Sequence, residues 1–149
     1  MVTVLVRPFF VYGPGLLHLD KLVPSMIRSV LKGEPAHLKS PHREMDWVYI
    51  DDVVEGFVRA TALDSAVGRE VDLGSGELVS ILGVWSVLRD LRPHLPEPVF
   101  EHDASRRDEV SPIADTESCV LALGWKPSTS LNVGLARTLE WYSLVDRST

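Results

Sequence analysis

The stretch Val2-Thr3-Val4-Leu5-Val6-Arg7-Pro8, continued by Phe9-Phe10-Val11-Tyr12-Gly13-Pro14-Gly15, decides how the rest of the chain is read. Val2 to Val6 is a continuous β-branched and apolar run. Such runs suit a strand covered on both faces, as in a parallel sheet. Arg7-Pro8 closes it, and Tyr12 to Gly15 is dense in turn formers. The run is too apolar to be exposed, yet the remaining sequence supplies few obvious neighbours for it. The expectation is a strand built to sit inside a sheet whose other members are encoded elsewhere.

Working outward, Asp20 to Lys32 carries Leu22, Val23, Met26, Ile27, Val30 and Leu31 at helical spacing. Pro24 is tolerated only in a first turn, so the spacing predicts a start near Leu22 or Val23 and a stop at Gly33. Ala36 to Leu38 and Asp46 to Ile50 read as strands. Asp51 is placed to cap a helix running to about Leu63, with Val53, Val54, Phe57, Val58 and Thr61 as its apolar face. Glu70 to Leu73 is a short strand before Gly74-Ser75-Gly76. A helix over Ser80 to Leu91, an edge strand at Val99 to Glu101, and helices over Asp115 to Leu123 and Ser130 to Leu144 follow. Leu131, Leu135, Leu139 and Tyr142 form the stripe of the last helix. This alternation is an α/β pattern in a single domain over residues 1–149.

Hydrophobic residues make up 45% of the 149 and charged residues 24%, which is globular composition. The net charge of −6 disfavours a nucleic-acid partner. One cysteine, Cys119, lies among Val120, Leu121 and Leu123; it allows no internal disulfide and reads as a buried core thiol in a cytoplasmic protein. No apolar run approaches the ~20 residues of a membrane span. The five histidines show no ligand spacing among themselves or with Cys119, so no metal site is expected.

Four segments, in order, resemble the NAD-dependent epimerase/dehydratase branch of the extended short-chain dehydrogenase/reductase superfamily. They are Val4 to Gly15, Asp46 to Val53, Val71 to Glu77, and Leu123-Gly124-Trp125-Lys126-Pro127 with Ser130-Leu131. The resemblance implies part of a Rossmann-like α/β fold with its smaller substrate lobe. It places Met1 just after the helix that carries the family's catalytic tyrosine and lysine, so that the sequence corresponds to the C-terminal, substrate-side portion without the dinucleotide-binding part. The family's Tyr-x-x-x-Lys pair is not found: four residues after Tyr12, Tyr49 and Tyr142 stand Leu16, Val53 and Asp146. The glycine fingerprint for a pyrophosphate is also incomplete, because His18 and Val79 occupy the place of the last glycine after Gly13-Pro14-Gly15 and Gly74-Ser75-Gly76.

The resemblance further implies NAD or NADP as cofactor, with Pro8 and Phe9 bordering the nicotinamide, and a nucleotide sugar as substrate. Phe10, Tyr12, Arg43 and Arg106 are the implied substrate contacts, with Arg107 as the alternative to Arg106; no catalytic residue is assigned. Relatives commonly carry asparagine where Phe10 stands and arginine where Met45 stands, and neither replacement can bond a diphosphate. Asp51-Asp52 is similar to the family's acidic pair at a helix start and reads as structural. The implied function is the substrate-binding half of an NAD(P)-dependent sugar-nucleotide epimerase/dehydratase-like oxidoreductase, inactive alone and completed by an N-terminal-half partner. The alternative is a non-catalytic binding or protein-interaction module that pairs through its first strand.

Overall fold

The structure is a computed structural model that describes residues 3–16, 18, 20–101 and 110–146. The opening segment forms two short strands rather than one. β1 is Leu5–Pro8 and β2 is Phe10–Tyr12, so the strand expected over Val2 to Val6 begins at Leu5 and runs on to Pro8. β1 runs parallel to β5 (Glu70–Leu73), with Arg7 beside Asp72. At Phe9, whose N–H still donates to Leu73 O, the chain changes partner. β2 then runs parallel to β4 (Glu44–Tyr49), which pairs antiparallel with β6 (Leu78–Ser80). A third pair joins β3 (His37–Lys39) to β7 (Val99–Glu101).

Strand β4 is buried along Met45 to Tyr49, and its period-2 alternation feeds two interiors. Met45, Trp47 and Tyr49 enter a core built from helices α1 (Leu22–Lys32), α3 (Ile81–Leu91) and α5 (Leu131–Asp146). Val48 enters a second core with Val53 and Ala60 of α2 (Ile50–Ala62), Val71 and Leu73 of β5, and Cys119 and Leu123 of α4 (Thr116–Leu123). The sheet thus carries helices on both faces, as the α/β pattern requires.

Several helix ends follow the sequence signals. Pro24 is the third residue of α1, inside the first turn, and Gly33 closes it in the left-handed region at φ 68°. Ser80 Oγ accepts from Gly83 N–H at 3.0 Å, and Asp115 caps α4 by accepting from Ser118 N–H at 3.0 Å. Leu135, Leu139 and Tyr142 form the buried stripe of α5. Strand β6, which precedes α3, is not foreseen in the sequence.

Helix α2 departs from expectation twice. Asp51 is exposed and makes no cap; the N-cap position is Tyr49, without a side-chain bond. The buried stripe runs through Asp52, Val53, Gly56 and Ala60, whereas Val54, Phe57 and Val58 are exposed. Gly56 sets this rotation: a Cβ there would lie 2.5 Å from Leu73 Cδ2, so the helix closes on β5 along its smallest residues. Apolar periodicity chose the wrong side because two adjacent stripes of the helix are apolar. Among the described residues β1 has one hydrogen-bonded strand neighbour, and Leu5 is 52% exposed.

Candidate functional site

The site begins at the carboxyl ends of the parallel strands β1 and β5. Facing positions in the register are occupied by Arg7 and Asp72, and the guanidinium Nε donates to Asp72 Oδ1 at 2.7 Å. Arg7 also reaches Glu70 at 3.1 Å. The ion pair with Asp72 raises the Arg7 pKa above its ordinary value. The second oxygen of Asp72 accepts from Asp115 N–H at 3.1 Å, which ties the start of α4 to the strand.

Asp46 does the same for the neighbouring loops. Only 2% exposed, its carboxylate accepts from Ser75 N–H at 2.5 Å, Ser75 Oγ at 2.7 Å, and Gly76 and Ala114 N–H at 3.0 Å each. Four donors on one carboxylate offset the cost of burying its charge. Gly74 is required by the same arrangement, since a Cβ there would meet Ala114 Cβ at 2.5 Å and Asp46 Oδ2 at 2.8 Å. Ser111 Oγ donates to Glu44 O. The segment 111–115 is therefore clipped to β4 and β5 at three points.

These elements enclose a cleft of about 540 Å³ lined by Arg7 to Phe10, Arg43, Met45, Asp46, Asp72 and Ser111 to Ile113. Pro8, Phe9, Phe10 and Arg43, four of the six residues singled out in the sequence, come together here. Arg43 is half-buried on the turn closed by its N–H to Ser40 O. Phe10 is 40% exposed and lies edge-on against Trp47, with ring centroids 4.7 Å apart. Tyr12 lies elsewhere: it is 3% exposed in the α1–α3–α5 core, its hydroxyl donating to Leu131 O at 3.4 Å. Arg106 and Arg107 fall outside the described residues.

The sequence reading missed Asp46, Asp72 and the wall Ser111–Ile113. An aspartate among the buried residues of a four-residue strand, one position from its end, was the available signal for Asp72. The wall itself carries no motif. Of the acidic pair, Asp52 is indeed structural, but it does not serve its own helix. Its carboxylate accepts from Ser128 N–H at 3.2 Å, Ser128 Oγ at 2.9 Å and Thr129 N–H at 3.0 Å, while Trp125 Nε1 donates to its backbone oxygen at 3.0 Å.

Neither glycine pair offers a cradle for a dinucleotide's phosphates. The N–H groups of Ser75 and Gly76 are taken by Asp46, and the Gly13-Pro14-Gly15 turn has no N–H at its centre. Among the described residues no group of His, Cys, Asp and Glu can hold a metal ion, and His18 and His42 are exposed outside the cleft. No helix among them is long and apolar enough to cross a membrane.

Cys119 is buried, and burial pushes its thiol up to about 11. Against an ordinary thiol of 9.0 this leaves roughly 100-fold less thiolate at neutral pH. Native protein at pH 7.5 is accordingly expected to react with Ellman's reagent at least that much more slowly than protein in urea. A native rate equal to the unfolded one would place the thiol at the surface.

Comparison with known proteins agrees with the class of fold just described. Residues 1–74 match the sequence profile of the NAD dependent epimerase/dehydratase family. A dTDP-glucose 4,6-dehydratase of Xanthomonas campestris is 26% identical over 145 residues, covering 88% of this chain and 40% of that protein. The UDP-glucose 4-epimerase of Thermotoga maritima, solved with UDP-glucose, superposes with a TM-score of 0.86 at 25% identity, over 97% of this chain and 47% of that one. The UDP-glucuronic acid 4-epimerase of Bacillus cereus, solved with UDP-glucuronic acid and NAD, gives 0.81 at 26% identity, over 95% and 45%. The fold is the α/β, Rossmann-like fold of these enzymes, and the chain spans less than half the length of each.

Proposed function

We propose that this chain is the C-terminal, substrate-side portion of an NAD(P)-dependent sugar-nucleotide epimerase/dehydratase-like oxidoreductase. The observation that carries the reading is the position of the cleft. It opens at the carboxyl ends of β1 and β5, where the chain steps from one sheet partner to the other, and open α/β sheets receive ligands at such places. Pro8 and Phe9 wall one side of the nicotinamide pocket, while Phe10 and Arg43 face the substrate; Arg106 is a further substrate contact that the family resemblance implies. The bound dinucleotide supplies hydride exchange with a carbinol carbon. This chain's share is to hold that carbon in place and to keep water from the cleft.

The phosphate cradle and the proton-transferring tyrosine and lysine come, in this reading, from a dinucleotide-binding part that pairs with β1. Alone, the 149 residues bind neither NAD nor NADP tightly and do not turn over. The test is to join them to the dinucleotide-binding part of one of the relatives above, supply NAD, and follow conversion of each substrate by chromatography, with transient NADH absorbance at 340 nm as the sign of hydride transfer. The panel contains nucleotide sugars and simple secondary alcohols. Conversion of a substrate by the joined protein and none by the chain alone is expected. Silence of a folded, NAD-binding joined protein with the whole panel, or tight NAD binding by the chain alone, would refute it.

One observation favours a second reading, a protein-interaction module. Leu5 on β1 and Val54, Phe57 and Val58 on α2 are exposed apolar residues beside a strand with one neighbour among the described residues. It is preferred if the chain binds no small molecule in its cleft yet captures a partner through β1.

A further inference from the structure

Among the described residues, three of the charged side chains that line the cleft are held by strong partners within the fold. Asp46 is saturated by four donors, Asp72 is held by Arg7 and Asp115, and Arg7 is engaged by Asp72 and Glu70. Each of these charges has its partner inside the fold, so recruiting any of them to a ligand would break a bond already made. The accessible wall is of a different kind. Phe10 is 40% and Ile113 52% exposed, Pro8 and Pro112 are exposed, and Phe9 is half-buried. All five line the same cleft. Phe10 is steadied by the edge of Trp47, which itself is 4% exposed and fixed by Nε1 donating to Val79 O at 2.8 Å. Ile113 is steadied from behind by the Ala114 bond to Asp46 and the Ser111 bond to Glu44 O. Two apolar surfaces on clamped backbone therefore face a volume of about 540 Å³, the size of a small-molecule site.

We propose that the substrate carries an apolar substituent (methyl, branched alkyl or aryl) next to its reacting carbinol or carbonyl, and that Phe10 and Ile113 select it. The inference deepens the reading above, resting on the cleft as the substrate site. Burial of a ring-sized apolar group on these walls provides affinity that a hydroxyl-covered sugar face would not. Phe10 is the specificity-determining residue because it is the one aromatic wall both well exposed and buttressed.

The test reads binding to the 149-residue chain without cofactor, so it is separate from turnover of a joined enzyme. Isoleucine methyl groups are labelled with carbon-13, and the Ile113 signal is followed by NMR. The probes are 4-phenylbutan-2-one and inorganic pyrophosphate. The ketone is expected to shift the Ile113 methyl saturably, and pyrophosphate to leave it in place at the same concentrations. Phe10→Ala should weaken the ketone by ~5-fold or more, and Phe10→Leu should recover most of it. Methyl signals of the buried Ile27 and Ile81 report that the fold is intact in both variants. The proposal is overturned if pyrophosphate moves Ile113 more tightly than the ketone does. It is equally overturned if the ketone does not saturate, or if Phe10→Ala binds it unchanged.

Discussion

Asp46→Ala is expected to destabilise the chain by about 3–5 kcal/mol, the range for removing one member of a buried charge-assisted cluster. The substitution leaves the N–H groups of Ser75, Gly76 and Ala114 and the hydroxyl of Ser75 facing an empty space. For a domain of this size that corresponds to a fall in Tm of roughly 10 °C or more. Asp46→Asn keeps the volume but points an amide donor at two of the donors, so it should recover less than half of the loss. Thermal melts by circular dichroism give the size of the effect. Hydrogen exchange gives its place: the amides of Ser75, Gly76 and Ala114 should lose protection before the rest of the sheet. A melt within 2 °C of the parent would mean that the carboxylate is not what fastens these loops.

Trp125→Ala should cost about as much, about 3–5 kcal/mol, for a different reason. Trp125 is 1% exposed in the α2–α4–β5 core, and its loss leaves a cavity that Val53 and Leu123 cannot fill without moving their helices. Its indole N–H also bonds the backbone oxygen of Asp52, whose carboxylate holds Ser128 and Thr129. Trp125→Phe separates the two contributions: it keeps most of the bulk, loses the hydrogen bond, and should cost about 1–3 kcal/mol. Urea midpoints of the two variants check the order. Equal losses from both would assign the stability to the hydrogen bond and not to the packing.

Much of the fold was legible in the sequence because its signals are local. Pro24, Gly33, Ser80, Asp115 and Gly124 mark helix ends by their own backbone chemistry, and the structure uses each of them so. The interior pairing was not legible. Nothing local in Leu78 to Ser80 announces a strand, since it exists by pairing with Glu44 to Asp46. The face of α2 was misjudged because Val54 and Val58 satisfy the same spacing as Val53, and only the missing Cβ of Gly56 shows which stripe can approach β5. The site divides in the same way. Pro8 to Phe10 follow a readable strand and could be placed at its end. Asp46, Asp72 and Ile113 meet only because loops 29 and 43 residues or more away in sequence fold onto the strands that carry the aspartates.

The shared strand β4 has a consequence for what changes the sequence can absorb. Its odd-numbered side chains fill one interior and Val48 the other, so loss or gain of a single residue between Met45 and Tyr49 would exchange the two sets. Tryptophan and tyrosine rings would then be pressed into a space sized for valine, and a charge moved among hydrocarbon. Replacement of one amino acid by another there is a local injury, whereas a frame slip is a global one.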